Sequence, residues 1–173
     1  MTVTADDRVK LIFTLFDADE NGYLEEGDFS TMAGRVVSAA EGSGDAAKQA
    51  MKAAFQRYWT TLERELDADS DGRVSLDEFV ACVLSPDKFH ETIAEFARAL
   101  AALGDPDGDG LIERAEFVAL MTAIGFERPN IHALFDAFVP SAEDRVRVPV
   151  WASGIMDYYS PDADDIAGDH LVT

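Results

Sequence analysis

The chain has 173 residues, 47% of them hydrophobic, and carries 34 acidic against 14 basic side chains, a formal net charge of −20 at pH 7. That length buries an ordinary core unaided, and a single cysteine excludes a disulfide framework. Nucleic acid and anionic membrane surfaces would be repelled, so neither is expected as a partner and cations are the natural ligands.

The amino-terminal MTVTADDRVK is polar and acidic, unlike a secretory signal. No apolar run approaches the roughly 18 residues of a membrane span, and Thr2 stands where myristoylation requires glycine, so a cytoplasmic protein is expected. Val9, Ile12, Phe13 and Phe16 fall on one helical face and lead into an acidic stretch, DADENGYLEEGD at 17–28. Phe29, Met32 and Val36 resume the helical period after it. The next 38-residue connection must hold two longer helices joined by the EGSG turn at 41–44. Its second helix carries Phe55, Tyr58, Trp59, Leu62 and Leu66 and runs into DADSDGRVSLDE at 67–78.

Phe79 and Val83 continue the pattern, with Cys82 among them as a small buried hydrophobe. Ser85-Pro86 breaks the chain before a helix marked by Phe89, Ile93, Phe96, Leu100 and Leu103. DPDGDGLIERAE follows at 105–116, then Phe117, Leu120, Met121 and Ile124. Gly125 and Pro129 separate these from Ile131, Leu134, Phe135 and Phe138. All of these stripes are expected to face a core.

The three acidic stretches hold sixteen carboxylates and two arginines, a net −14 of the total −20. Their order is Asp-x-Asp-x-(Asp/Asn)-Gly. The full pattern, closed by a glutamate after five further residues, is expected by chance at on the order of a few in a million positions. Two full matches and one near match in this chain are therefore not accidental.

Such spacing suits calcium, which takes about six to eight oxygen ligands that a tight loop can supply from alternate positions. In the second loop Asp67, Asp69 and Asp71 offer carboxylates, Gly72 turns the chain, Arg73 offers only its carbonyl, Ser75 acts directly or through water, and Glu78 closes the site. The Arg73 side chain is free to point outward. The third loop repeats this with Asp105, Asp107, Asp109, the carbonyl of Leu111, Glu113 and Glu116. The first gives Asp17, Asp19, Asn21, the carbonyl of Tyr23 and Glu25, and ends in Asp28 instead of glutamate. Three calcium ions are expected, with magnesium best tolerated in the first loop because Asp28 is one methylene shorter.

Leu24, Val74 and Ile112 occupy the eighth position of their loops, where an aliphatic side chain suits a short β-pairing between two loops. Pairing requires an even number of loops. Val146, followed five residues later by Trp151, marks a fourth, VPSAEDRVRVPV at 139–150. Val139 and Val150 stand at its first and last ligand positions, and Arg145 and Arg147 add positive charge, so it is read as a silent structural partner of the third loop. After Trp151, Ile155 and Tyr158, the tail has no helical period and should pack on the body with its charges outward.

Four helix–loop–helix units, a long first connection, an Asp28-Phe29 loop end and one silent site resemble the sarcoplasmic calcium-binding proteins and their bacterial relatives of the calerythrin type, which are EF-hand proteins. The resemblance implies an all-α fold of four EF-hand units in two pairs, one compact globule with short β-pairing between loops. On this reading 1–84 form the first pair, 85–159 the second, and 160–173 an acidic tail. It also implies an intracellular calcium buffer or store, monomeric, with a protein target not required.

Two rival classes are weighed against it. The chain has no CxxC, GxSxG or phosphate loop, and His90, His132 and His170 are isolated, so an enzyme is not expected. A calcium sensor would expose a methionine-rich groove to a target. Five Met against 11 Phe, four Tyr and two Trp favour a fixed core and the buffer.

Overall fold

A computed structural model describes residues 3–66, apart from the side chain of Leu66, and 72–172. Among these are eight α-helices: α1 (Ala5–Phe16), α2 (Glu26–Ala39), α3 (Asp45–Leu66), α4 (Leu76–Val83), α5 (Pro86–Leu103), α6 (Arg114–Ile124), α7 (Arg128–Ala137) and α8 (Val148–Tyr158). Two three-residue strands, β1 (Leu111–Glu113) and β2 (Arg145–Arg147), and a short 3-10 helix, Ala167–Leu171, complete the chain. No described helix is long and apolar enough to cross a membrane.

Local chemistry sets the helix ends. Thr4 caps α1 by accepting from the Asp7 amide at 3.1 Å, while Asp7 accepts from the Thr4 amide at 3.0 Å. Ser75 and Glu78 make the same reciprocal pair at α4. Pro86 lies in the first turn of α5, where its missing amide hydrogen has no helical partner to lose. Gly125 ends α6 at φ 120°, against Leu15.

The helical stripes form one core, and the described members of each are buried or packed against it. Tyr58 of α3 is at its centre, with ring centroids 5.5 Å from Phe16, 5.3 Å from Phe29 and 4.8 Å from Phe89. A second aromatic group joins Phe117 to Phe135 at 5.2 Å and to Trp151 at 4.8 Å. Packing of α3 on α5, α5 on α8 and α2 on α6 runs continuously across residue 84. Thr61 and Thr92 tie α3 to α5 through a buried hydroxyl pair at 2.7 Å. Cys82 is wholly buried, and desolvation pushes its thiol up to about 11.

Loops pair two by two. Leu24 and Val74 exchange backbone hydrogen bonds of 2.9 Å in both directions, an isolated antiparallel bridge. In the other half β1 and β2 are antiparallel, with Leu111 opposite Arg147, Ile112 opposite Val146 and Glu113 opposite Arg145. Residues 139–150 thus fold as the loop partner that Val146 and Trp151 mark in the sequence.

The tail packs on the body as expected, through its 3-10 turn against α7 and α8, but it turns one charge inward: Asp169 accepts from Nε of the fully buried Arg8 at 2.7 Å. A buried guanidinium needs an anion, and Asp169 is the one that reaches it.

Candidate metal centres

Loops one and three repeat one hydrogen-bond frame. The sixth residue, Gly22 or Gly110, donates its amide to the first carboxylate, Asp17 or Asp105, at 2.8 Å in both. The fifth amide, of Asn21 or Asp109, bonds the third side chain, Asp19 or Asp107, at 3.3 and 3.2 Å. The seventh amide, of Tyr23 or Leu111, bonds the fifth side chain at 3.0 and 2.9 Å. Backbone donors therefore aim the alternate side chains into the concave face of the loop. The turn that permits this needs a left-handed residue at position six, where Gly22, Gly72 and Gly110 have φ of 86°, 74° and 83°.

Two carboxylate groups result. Asp17, Asp19 and Asp28 each place an oxygen within 4.8 Å of the others, and so do Asp105, Asp107 and Asp109. Opposite ligands of a calcium ion are roughly 4.6–5.2 Å apart, twice a calcium–oxygen distance, so each trio fits around one such ion. Asp105 Oδ1 is buried with no hydrogen-bond partner, an oxygen whose desolvation only a cation or water would offset. Burial pushes the Asp28 and Asp105 carboxyls above the usual carboxylate range, and neighbouring loop aspartates add to it. The Leu111 amide holds Asp109 below that range.

The closing positions differ between the loops. Asp28 is buried, joins its trio and accepts from the Glu25 amide at 3.0 Å. Glu116, on the first turn of α6, stands outside the Asp105 trio and lines a polar hollow with Ser43 and Pro106. Asn21 reaches Glu25 at 3.4 Å.

In the second loop Asp67, Asp69 and Asp71 lie outside the described residues. Its described half has Val74 bridged to Leu24 and the Glu78 carboxylate bonded to the Ser75 amide at 2.9 Å. Arg73 reaches loop one: Nε is 3.0 Å from Glu25 Oε1, and the guanidinium lies 5.6 Å from the Tyr23 ring centroid.

Loop four keeps the loop shape, but Val139 and Val150 stand at its first and last ligand positions and Ser141 at its third, which leaves Glu143 at the fifth as the one carboxylate among these four. Asp144 takes the left-handed sixth position at φ 63°, and Ser141 Oγ accepts from the amides of Glu143 and Arg145 at 3.3 Å each. Arg114 of α6 holds Asp144 with two bonds of 2.8 and 2.9 Å and also reaches Asp136 and His132. That bidentate pair keeps the Asp144 carboxyl below its usual range. Ligand positions alone give no sign of which carboxylates these arginines pair with. The signal for Arg73 and Arg145 lies in the register, because antiparallel pairing at position eight sets seven of one loop across from nine of its partner.

Residues 6–84 match the family model of the EF-hand domain pair. The chain is 28% identical to calerythrin of Saccharopolyspora erythraea over 166 residues, 91% of this chain and 93% of that protein. It is 31% identical to the sarcoplasmic calcium-binding protein beta chain of Penaeus sp. over 123 residues, 65% of this chain and 63% of that one. Among solved structures, a Streptomyces coelicolor calcium-binding protein studied for prokaryotic calcium-mediated regulation superposes with a TM-score of 0.71 at 27% identity, covering 92% of this chain and 99% of that one.

Proposed function

We propose that this EF-hand protein holds one calcium ion in each of its first three loops and serves as a calcium buffer or store. The repeated frame carries the reading: two loops of different sequence aim their side-chain oxygens with the same backbone amides at nearly the same distances. Asp17, Asp19, Asn21, Glu25 and Asp28, with the Tyr23 carbonyl, would hold the first ion. Asp105, Asp107, Asp109, Glu113 and Glu116, with the Leu111 carbonyl, would hold the third. Asp67, Asp69, Asp71, Ser75 and Glu78, with the Arg73 carbonyl, would hold the second. Bound calcium neutralises carboxylates that otherwise repel one another, and three ions reduce the formal charge from −20 to −14. Magnesium suits loop one, where short Asp28 is already gathered with Asp17 and Asp19.

Loop four is silent in this proposal, since Val139 and Val150 supply no oxygen from their side chains. Calorimetry at saturating calcium should count three ions, and two or four would refute the assignment. The calcium-mediated regulation ascribed to the Streptomyces coelicolor protein favours a second reading, a sensor. Against it, Tyr23 and Val139 are the large hydrophobic residues exposed among the described ones, and they do not form a groove of the kind a target helix needs. Fluorescence of an apolar dye should fall or stay flat when calcium is added to the magnesium-loaded protein. A large rise would move the function to sensor.

A further inference from the structure

The two loop pairs share a cross-strand contact between charges that the ligand pattern leaves out. At the seventh position of loop two, Arg73 Nε lies 3.0 Å from Oε1 of Glu25, the ninth residue of loop one. At the seventh position of loop four, Arg145 Nη2 lies 3.3 Å from Oε1 of Glu113, the ninth residue of loop three. Register produces both, because Glu113 is the strand partner of Arg145 and the Leu24–Val74 bridge has the same antiparallel sense. Arg145 reaches further: Nη1 is 3.8 Å from Asp109 Oδ2, an oxygen of the gathered trio's own residue.

We propose that Arg73 and Arg145 are built-in counter-cations that set the calcium affinity of the facing loop: each even loop offers its odd partner a fixed positive charge that steadies the ion-free carboxylates and opposes the incoming ion. The proposal rests on reading loops one and three as calcium sites. In the ion-free protein the arginine relieves repulsion among the carboxylates gathered in the loop it faces. When calcium enters, the same charge is a like-charge neighbour a few ångströms from the ion, and Glu113 must share its oxygens between the guanidinium and the metal or its water. Loop four thereby gains a role beyond its strand, as the part of the third site that carries no ligand yet limits how tightly that site binds. The sign separates this from scaffolding: a structural arginine weakens binding when removed, whereas a counter-cation strengthens it.

The Gly22 and Gly110 amides, bonded to Asp17 and Asp105, report loops one and three separately in the full-length protein. Calcium titration followed by the nuclear magnetic resonance signals of these two amides should give Arg145→Gln an affinity about three- to tenfold higher at Gly110 and unchanged at Gly22. The gain should shrink as salt is raised from 20 mM to 500 mM, about a fivefold fall in Debye length. Arg73→Gln should act at Gly22. Arg145→Lys should stay near wild type, and in chelator Arg145→Gln should melt below wild type although it binds calcium more tightly. Arg147→Gln removes the same charge from the same strand, where no ion pair within 4.0 Å is found among the described residues, and should change loop-three affinity least. Equal or weaker binding by Arg145→Gln overturns the proposal while leaving the calcium sites intact. A wild-type Gly110 signal that ignores calcium overturns the site reading beneath it.

Discussion

Asp28 sits among like charges with 4% of its surface exposed, and that burial drives its carboxyl above the ordinary range. A carboxyl whose folded pKa exceeds its unfolded one destabilises the ion-free fold above the folded value, and the penalty vanishes below the unfolded value near about 3.9. Asp28→Asn keeps an oxygen to accept the Glu25 amide while removing the charge. In chelator the variant should therefore melt higher than wild type at neutral pH, with the gap closing as pH falls toward 4, and its calcium count should drop by one. A lower melting temperature at pH 7 would mean that the hydrogen bond, not the buried charge, governs this position. The candidate ligand positions are legible in the sequence because such a loop is local: every candidate donor falls within twelve residues. Left-handed Glu20, at φ 55° where loop three has Gly108 at 69°, was not legible, since glutamate gives no sign of that conformation.

Between elements, the third and fourth loops depend on one another through three residues of β-pairing and one guanidinium. Ile112 and Val146 are buried face to face at the centre of β1 and β2, and Val148 donates its amide to the Gly110 carbonyl at 3.0 Å. Val146→Asn would bury an amide among apolar neighbours and should lower stability by about 1–3 kcal/mol in urea denaturation. Because β1 carries Leu111 and Glu113, calcium affinity reported at Gly110 should fall while that at Gly22 holds. Equal losses at both would point to general loosening of the fold. The helices and this pairing follow from sequence because hydrophobic period and an aliphatic–aromatic spacing encode them directly. The Arg114–Asp144 clamp does not, since it joins residues 30 apart and depends on how α7 folds back on α6. Register carries the Arg145–Glu113 contact too, legible only after Val146 is set opposite Ile112.

At the scale of the whole molecule, Arg8 binds the first helix to the last turn of the chain. Its guanidinium is wholly buried, with Nε on Asp169 Oδ1 and Nη2 on the Ala163 carbonyl, both at 2.7 Å, while Nη1 has no hydrogen-bond partner among the described residues. Tyr158 of α8 donates to the Arg8 carbonyl at 2.8 Å, and Leu171 closes an apolar cleft lined by Ile12, Phe96, Leu100 and Leu134. Nothing in the tail's own sequence announces this: its aspartates look like a solvated run, and the partner of Asp169 lies 161 residues away. Removing one member of a buried ion pair leaves the other charge unpaired, at a cost of about 3–5 kcal/mol, whereas replacing both with apolar groups is often neutral. Asp169→Ala should thus destabilise the ion-free protein strongly, and Arg8→Met combined with Asp169→Ala should recover most of the loss. The single variant should also free the tail from α7 and α8, uncovering the cleft, so that an apolar dye binds it equally with and without calcium. If the double variant is no more stable than Asp169→Ala, the tail is held by Leu171 and its apolar neighbours and the charge pair contributes little.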